Sequence, residues 1–124
     1  MTVLLVDDSP VMRRFVARTL EMIGLDATIL QAENGREGMK LALSARPDLV
    51  ITDLNMPFMT GSEMVAAMQA TAELQNIPVL VLTADRSSLR PEELIRAGAA
   101  AYVTKPVTPQ LLRESLRSLL AVGQ

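Results

Sequence analysis

The chain has neither cysteine nor histidine among its 124 residues. Without cysteine there is no disulfide, no thiol nucleophile and no thiolate metal site. Without histidine, a metal site must be built from oxygen ligands, which favours Mg²⁺ or Ca²⁺ over zinc. Serine–histidine catalysis is excluded as well. No apolar run approaches a membrane span, and Met1 leads straight into strand-like residues without a signal-peptide pattern. Cytoplasmic residence without membrane insertion is the expectation. The formal net charge is only −2, which argues against a general nucleic-acid or membrane-surface binder. No linker-like run, internal repeat or low-complexity stretch divides the chain. Residues 1–124 are therefore expected to form a single domain with one core and no output domain. Apolar residues make up 49%, too many for a disordered chain. Aspartate, threonine, serine and lysine remain to carry chemistry.

What is present is an alternation of short apolar runs and helical patterns. Val3–Val6 is continuous, apolar and partly β-branched, as a buried strand requires, and it runs into Asp7-Asp8. Ser9-Pro10 reads as a helix cap followed by proline at the first helical position. Val11, Phe15, Ala17, Leu20 and Ile23 then recur at roughly helical spacing, and Gly24 stops the helix. Residues 27–32 form a weaker strand, interrupted by Thr28 and Gln31, that suits a sheet edge. Asn34-Gly35 opens a second helix running to about Ala45, with Met39, Leu41, Ala42 and Leu43 as its apolar side.

Leu49–Asp53 is the strand around which the rest is arranged, and Asn55, Met56, Pro57 and Gly61 mark the loop that leaves it. A helix over 62–72 follows, with Met64, Val65 and Met68 inward. Val79–Leu82 is another apolar strand, ending at Thr83. A fourth helix is predicted over 87–97, stopped by Gly98. The last strand is Ala101–Thr104, ending at Lys105-Pro106. Thr108-Pro109 caps a final helix carrying Leu111, Leu112, Leu116, Leu119 and Leu120. Five strand–helix alternations with short connections call for a parallel sheet covered on both faces.

In such a sheet the carboxyl ends of all strands share one edge, where ligands bind. Asp7, Asp8, Asp53, Thr83 and Lys105 converge there. Two like charges about 4 Å apart cost roughly 4 kcal/mol at an effective dielectric near 20. Three carboxylates against one lysine leave two negative charges, which a divalent cation balances. Mg²⁺ held by carboxylates, waters and phosphate oxygens is equipment for phosphoryl transfer. Taken singly, these residues have ordinary explanations. The acids could terminate strands, favour a helix N-terminus or sit in a loop, Thr83 could be a common strand-end threonine, Tyr102 a half-buried strand aromatic and Lys105 a solvated lysine. The joint pattern outweighs those readings.

The motifs Leu-Leu-Val-Asp7-Asp8-Ser, Asp53-Leu-Asn-Met-Pro57, Gly61, Leu-Thr83-Ala84 and Gly98-Ala-Ala-Ala-Tyr102-Val-Thr-Lys105-Pro106 occur in that order. Across essentially the whole chain the sequence resembles a receiver domain of the two-component response regulators, the stand-alone chemotaxis type in particular. The resemblance implies a flavodoxin-like doubly wound (βα)₅ fold with strand order 2-1-3-4-5. It implies that Asp53 accepts a phosphoryl group from the phosphohistidine of a partner histidine kinase, or from small acyl phosphates. Asp8, Asp53 and the backbone carbonyl of Asn55 would bind Mg²⁺, with Asp7 acting through water. Lys105 would pair with the carboxylate and then the phosphoryl oxygens, across a cis Lys105-Pro106 bond. Thr83 would turn toward the phosphoryl group and Tyr102 move inward. Asn55 and Asp85 would tune spontaneous dephosphorylation. The chain would be a phosphoacceptor with slow autophosphatase activity rather than a turnover enzyme. It would act as a monomer that meets its protein target through the fourth helix, last strand and last helix.

Other classes fit less well. A flavin-binding module of this fold wants free backbone N–H groups in the first loop, where Asp-Asp-Ser-Pro stands. Aspartyl phosphatases of the haloacid-dehalogenase type carry a second acid two residues after the nucleophile, where this chain has Asn55. A receiver excised from a larger regulator, or a scaffold acting without phosphorylation, are the alternatives within the same family. The cognate kinase, the pathway and the phosphoryl lifetime are not encoded in any of these motifs.

Overall fold

The structure is a computed structural model that describes residues 1–54, 56, 58–83, 95, 96, 98–104 and 107–121. In chain order the described elements are β1 (Thr2–Val6), α1 (Pro10–Met22), β2 (Thr28–Ala32), α2 (Gly35–Ala45), β3 (Leu49–Asp53), α3 (Gly61–Gln69), β4 (Val79–Thr83), β5 (Ala101–Thr104) and α4 (Pro109–Ala121). The helix predicted over 87–97 lies almost wholly outside the described residues.

The strands form one sheet in the order β2-β1-β3-β4-β5, every pair parallel. That is the order expected from the resemblance. All five residues of β3 and of β4 are buried, because helices cover both faces and strand side chains alternate between them. On one face Leu4, Val6, Val50, Val79 and Val81 pack with Ala42 of α2 and Met64, Val65 and Met68 of α3. On the other, Val3, Leu5, Leu49, Ile51, Leu80 and Leu82 pack with Val16 and Leu20 of α1 and Leu112 and Leu116 of α4. β2 pairs only with β1 and is half exposed along its length, as its polar interruptions foretold.

Local signals set the helix boundaries. The Ser9 hydroxyl accepts from the Met12 amide at 3.2 Å, with Pro10 in the first turn. Asn34 caps α2 through the Glu37 amide at 2.8 Å, and Thr108 caps α4 through the Leu111 amide at 3.1 Å. α1 ends before Gly24, whose φ is +83°, a conformation glycine adopts without strain. α3 begins at Gly61 rather than Ser62 and ends at Gln69, short of the predicted Ala72. A reciprocal cap fixes that start: the Thr60 hydroxyl accepts from the Glu63 amide, and the Glu63 carboxylate accepts from the Thr60 amide.

The inward face of α1 differs from the expected one. Val11 is 71% exposed and Phe15 also faces solvent, while Val16, Thr19 and Leu20 are buried. Thr19 occupies the core because its hydroxyl donates to the Phe15 carbonyl at 2.8 Å, which satisfies the polar group inside the helix. Leu43 and Leu111 are likewise more exposed than their spacing suggested.

Candidate functional site

Register carries the site residues to one edge. Val6 of β1 lies opposite Thr52 of β3, so Asp7 follows its strand at the level where Asp53 ends β3. Asp53 lies opposite Leu82 of β4, and Thr83 follows. Thr83 in turn faces Thr104 of β5, after which comes Lys105. The chain thus folds Asp7, Asp53 and Thr83 onto three adjacent strand ends, as the sequence required. All three are buried, whereas Asp8, one residue further, is exposed. Lys105, Pro106, Asn55 and Asp85 lie outside the described residues. Tyr102 is on β5, two residues before the strand ends, and is 37% exposed.

Asp7, Asp8 and Asp53 each offer a carboxylate oxygen to one point, and these three oxygens lie within 4.8 Å of one another. Backbone groups hold the two buried ones there. The Ser9 amide donates to Asp7 Oδ1 at 2.9 Å, and the Leu54 amide donates to Asp53 Oδ1 at 2.9 Å. The Asp7 amide donates to the Ala32 carbonyl across to β2. The N-terminus of α1 begins beside this cluster, and its dipole favours negative charge. Between the buried Asp7 and Asp53, repulsion at this spacing is about 3–4 kcal/mol at an effective dielectric near 20, while solvent screens the pairs with exposed Asp8. A set of three carboxylates without imidazole or thiolate suits a hard divalent cation, so the donor chemistry fits Mg²⁺.

Two supports were missed in the sequence. Arg13 donates from its Nε to Gln31 Oε1 at 3.0 Å and from its guanidinium to the Asp7 carbonyl. It thereby ties α1 to the end of β1 and to the edge strand. No spacing rule isolates it among three nearby arginines. The Thr60–Glu63 cap was legible as Thr-Gly-Ser-Glu, a Ser/Thr followed three residues later by Glu.

The profile of the response regulator receiver domain matches residues 3–117. The chain belongs to the response regulator receiver family. It is 38% identical to a chemotaxis protein CheY homolog of Campylobacter jejuni over 99% of this chain and 95% of that one. It is 36% identical to chemotaxis protein CheY1 of Helicobacter pylori over 99% of both. The structure of the chemotaxis response regulator CheY4 of Vibrio cholerae superposes with a TM-score of 0.83, at 36% identity, covering 95% of this chain and 97% of that chain. The chain is thus a CheY-type receiver of two-component signal transduction, in the flavodoxin-like fold. Among the described residues no helix is long and apolar enough to cross a membrane.

Proposed function

We propose that this receiver is a phosphorylation-activated switch whose phosphoacceptor is Asp53. The observation that carries the reading is the meeting of Asp53 with Asp7 and Asp8 at one point of the sheet edge, beside buried Thr83. A carboxylate oxygen of Asp53 attacks the phosphorus of a phosphohistidine on a partner kinase. The P–O bond forms as the P–N bond breaks, and the electron pair returns to the imidazole nitrogen, which takes a proton. The Leu54 amide fixes the orientation of the Asp53 carboxylate for this attack. Asp8, Asp53 and the carbonyl of Asn55, with Asp7 through water, would hold Mg²⁺, which would supply charge neutralisation for the transferring phosphoryl group. Lys105 pairs with the phosphoryl oxygens. Slow hydrolysis, in which water attacks phosphorus and frees the carboxylate, returns the switch to rest, and Asn55 and Asp85 set its rate.

Thr83 carries the signal away. Its hydroxyl turns toward the phosphoryl group, and Tyr102 moves into the space released. The face made by residues 87–97, β5 and α4 then binds a downstream protein. The receiver acts in the cytoplasm, as a monomer, without direct contact to nucleic acid. The test is intact mass after incubation with acetyl phosphate, with and without Mg²⁺. Addition of one phosphoryl group that requires Mg²⁺ and is absent in Asp53→Asn is expected. A folded protein that gains none would be a scaffold-type receiver instead.

A further inference from the structure

Two exposed residues, one in the loop after β3 and one in the first turn of α2, break local rules together. Phe58 follows Asp53 by five positions in the loop between β3 and α3. Its φ is +70° and it is 75% exposed. A bulky aromatic in the left-handed region is strained, and in water it gains no burial in return. Arg36 stands in the first turn of α2, where the helix dipole disfavours a cation. Its guanidinium carbon lies 5.7 Å from the centroid of the Phe58 ring. The loop is pressed onto the start of α2 to bring them together. A methyl added to Gly35 would lie 2.8 Å from the Cγ of Met59. Neighbouring violations of this kind mark places where something other than stability is served.

We infer that the Phe58–Arg36 pair is the docking anchor for the protein phosphodonor, taking an apolar and acidic surface next to the phosphohistidine. The inference rests on the reading of Asp53 as phosphoacceptor. Asp53 is only 8% exposed. A phosphorus atom carried on a protein's imidazole reaches it only when the surrounding donor surface lies on the loops and helix N-termini that ring the site. The β3–α3 loop is part of that ring, because it leaves directly from Asp53. Phenylalanine and arginine are both enriched at protein interfaces, and the positive charge of Arg36 selects acidic side chains opposite it. A small acyl phosphate reaches Asp53 without covering the ring. The anchor therefore separates two classes of donor.

The test uses both donors on Phe58→Asn and Phe58→Gly, residues that accept a left-handed backbone, with Arg36→Ala as a further variant. Labelling by acetyl phosphate should stay within about twofold of wild type, since no protein interface is involved. The second donor is drawn from the autophosphorylated histidine kinases encoded in the same genome, screened on wild type and repeated with the fastest. Its transfer should fall about tenfold or more in the Phe58 variants. Their thermal midpoints should rise as the strain is relieved. Kinase transfer to the Phe58 variants at the wild-type rate would overturn the anchor. So would failure of every kinase to label a wild-type chain that acetyl phosphate labels. Failure of acetyl phosphate on wild type would instead overturn the reading of Asp53 itself, and the anchor with it.

Discussion

Gly61 sits directly against the backbone of Asp53. A methyl group on Gly61 would overlap the Asp53 carbonyl oxygen and lie 2.9 Å from the Leu54 Cα. The Gly61 amide also donates to the Leu54 carbonyl at 2.8 Å. The start of α3 is thus seated on the end of β3, and the seat fixes where the Asp53 side chain begins. Gly61→Ala should destabilise the fold by about 1–3 kcal/mol, the range for overpacking a filled site. It should also slow labelling by acetyl phosphate, because the Asp53 backbone must move. Urea unfolding and labelling kinetics on the same preparation check both. A variant as stable and as reactive as wild type would show that the contact relaxes without cost.

Asp8 is the exposed member of the carboxylate cluster. Removing its charge relieves repulsion without leaving a buried group unpaired. Solvent screening keeps the gain for an exposed charge small, up to about 1 kcal/mol. Asp8→Asn should therefore be slightly more stable than wild type in the absence of metal. Mg²⁺ should raise the thermal midpoint of wild type, since an ion that binds only the folded state stabilises it. It should raise that of the variant far less. Equal Mg²⁺ shifts in both would remove Asp8 from the metal site.

The Thr60–Glu63 cap gives a pH dependence with a definite sign. The Thr60 backbone amide, and secondarily the Thr60 side chain, hold the Glu63 carboxyl below its usual range. A carboxylate with a lowered folded pKa stabilises the fold above its unfolded pKa and loses that contribution as pH falls through the folded value. The stability of wild type over Glu63→Gln should therefore be present at neutral pH and vanish on acidification. Thr60→Ala should cost about 1 kcal/mol at neutral pH, as for other N-cap losses. Urea midpoints measured across the acidic range for the three proteins test this.

Tyr102 is the only tyrosine, and the chain has no tryptophan. Its fluorescence therefore reports one position on β5. The ring is partly exposed in this structure, so acrylamide should quench it. After acetyl phosphate and Mg²⁺ the quenching constant should fall if Tyr102 moves inward, and it should stay constant in Asp53→Asn. Unchanged quenching in a phosphorylated wild type would remove Tyr102 from the switch.

The strands were legible because two buried faces leave no room for alternation: Leu49–Asp53 and Val79–Thr83 are buried at every position. The convergence of Asp7, Asp53 and Thr83 followed from parallel topology alone. The inward face of α1 was misread because apolar residues lie on two sides of that helix. Thr19 takes a core position that only its hydrogen bond to Phe15 makes habitable. The left-handed backbone of Phe58 had no signature, since a phenylalanine in a loop carries no hint of its φ. Arg13 was hidden among its neighbours because its role depends on the carbonyl of Asp7 and on Gln31 in the next strand. The exposed faces of Leu43 and Leu111 show that helical spacing alone marks a stripe wider than the one buried.

The central claim is that Asp53 carries the phosphoryl group. The most direct test is to label the protein with acetyl phosphate and Mg²⁺, trap the acyl phosphate with borohydride, and sequence the peptides by mass spectrometry. Reduction converts a phosphorylated aspartate to homoserine. Homoserine at position 53, with Asp7 and Asp8 unmodified, is the expected result. Homoserine at either of those positions, or at none in a protein whose mass shows an added phosphoryl group, would contradict it.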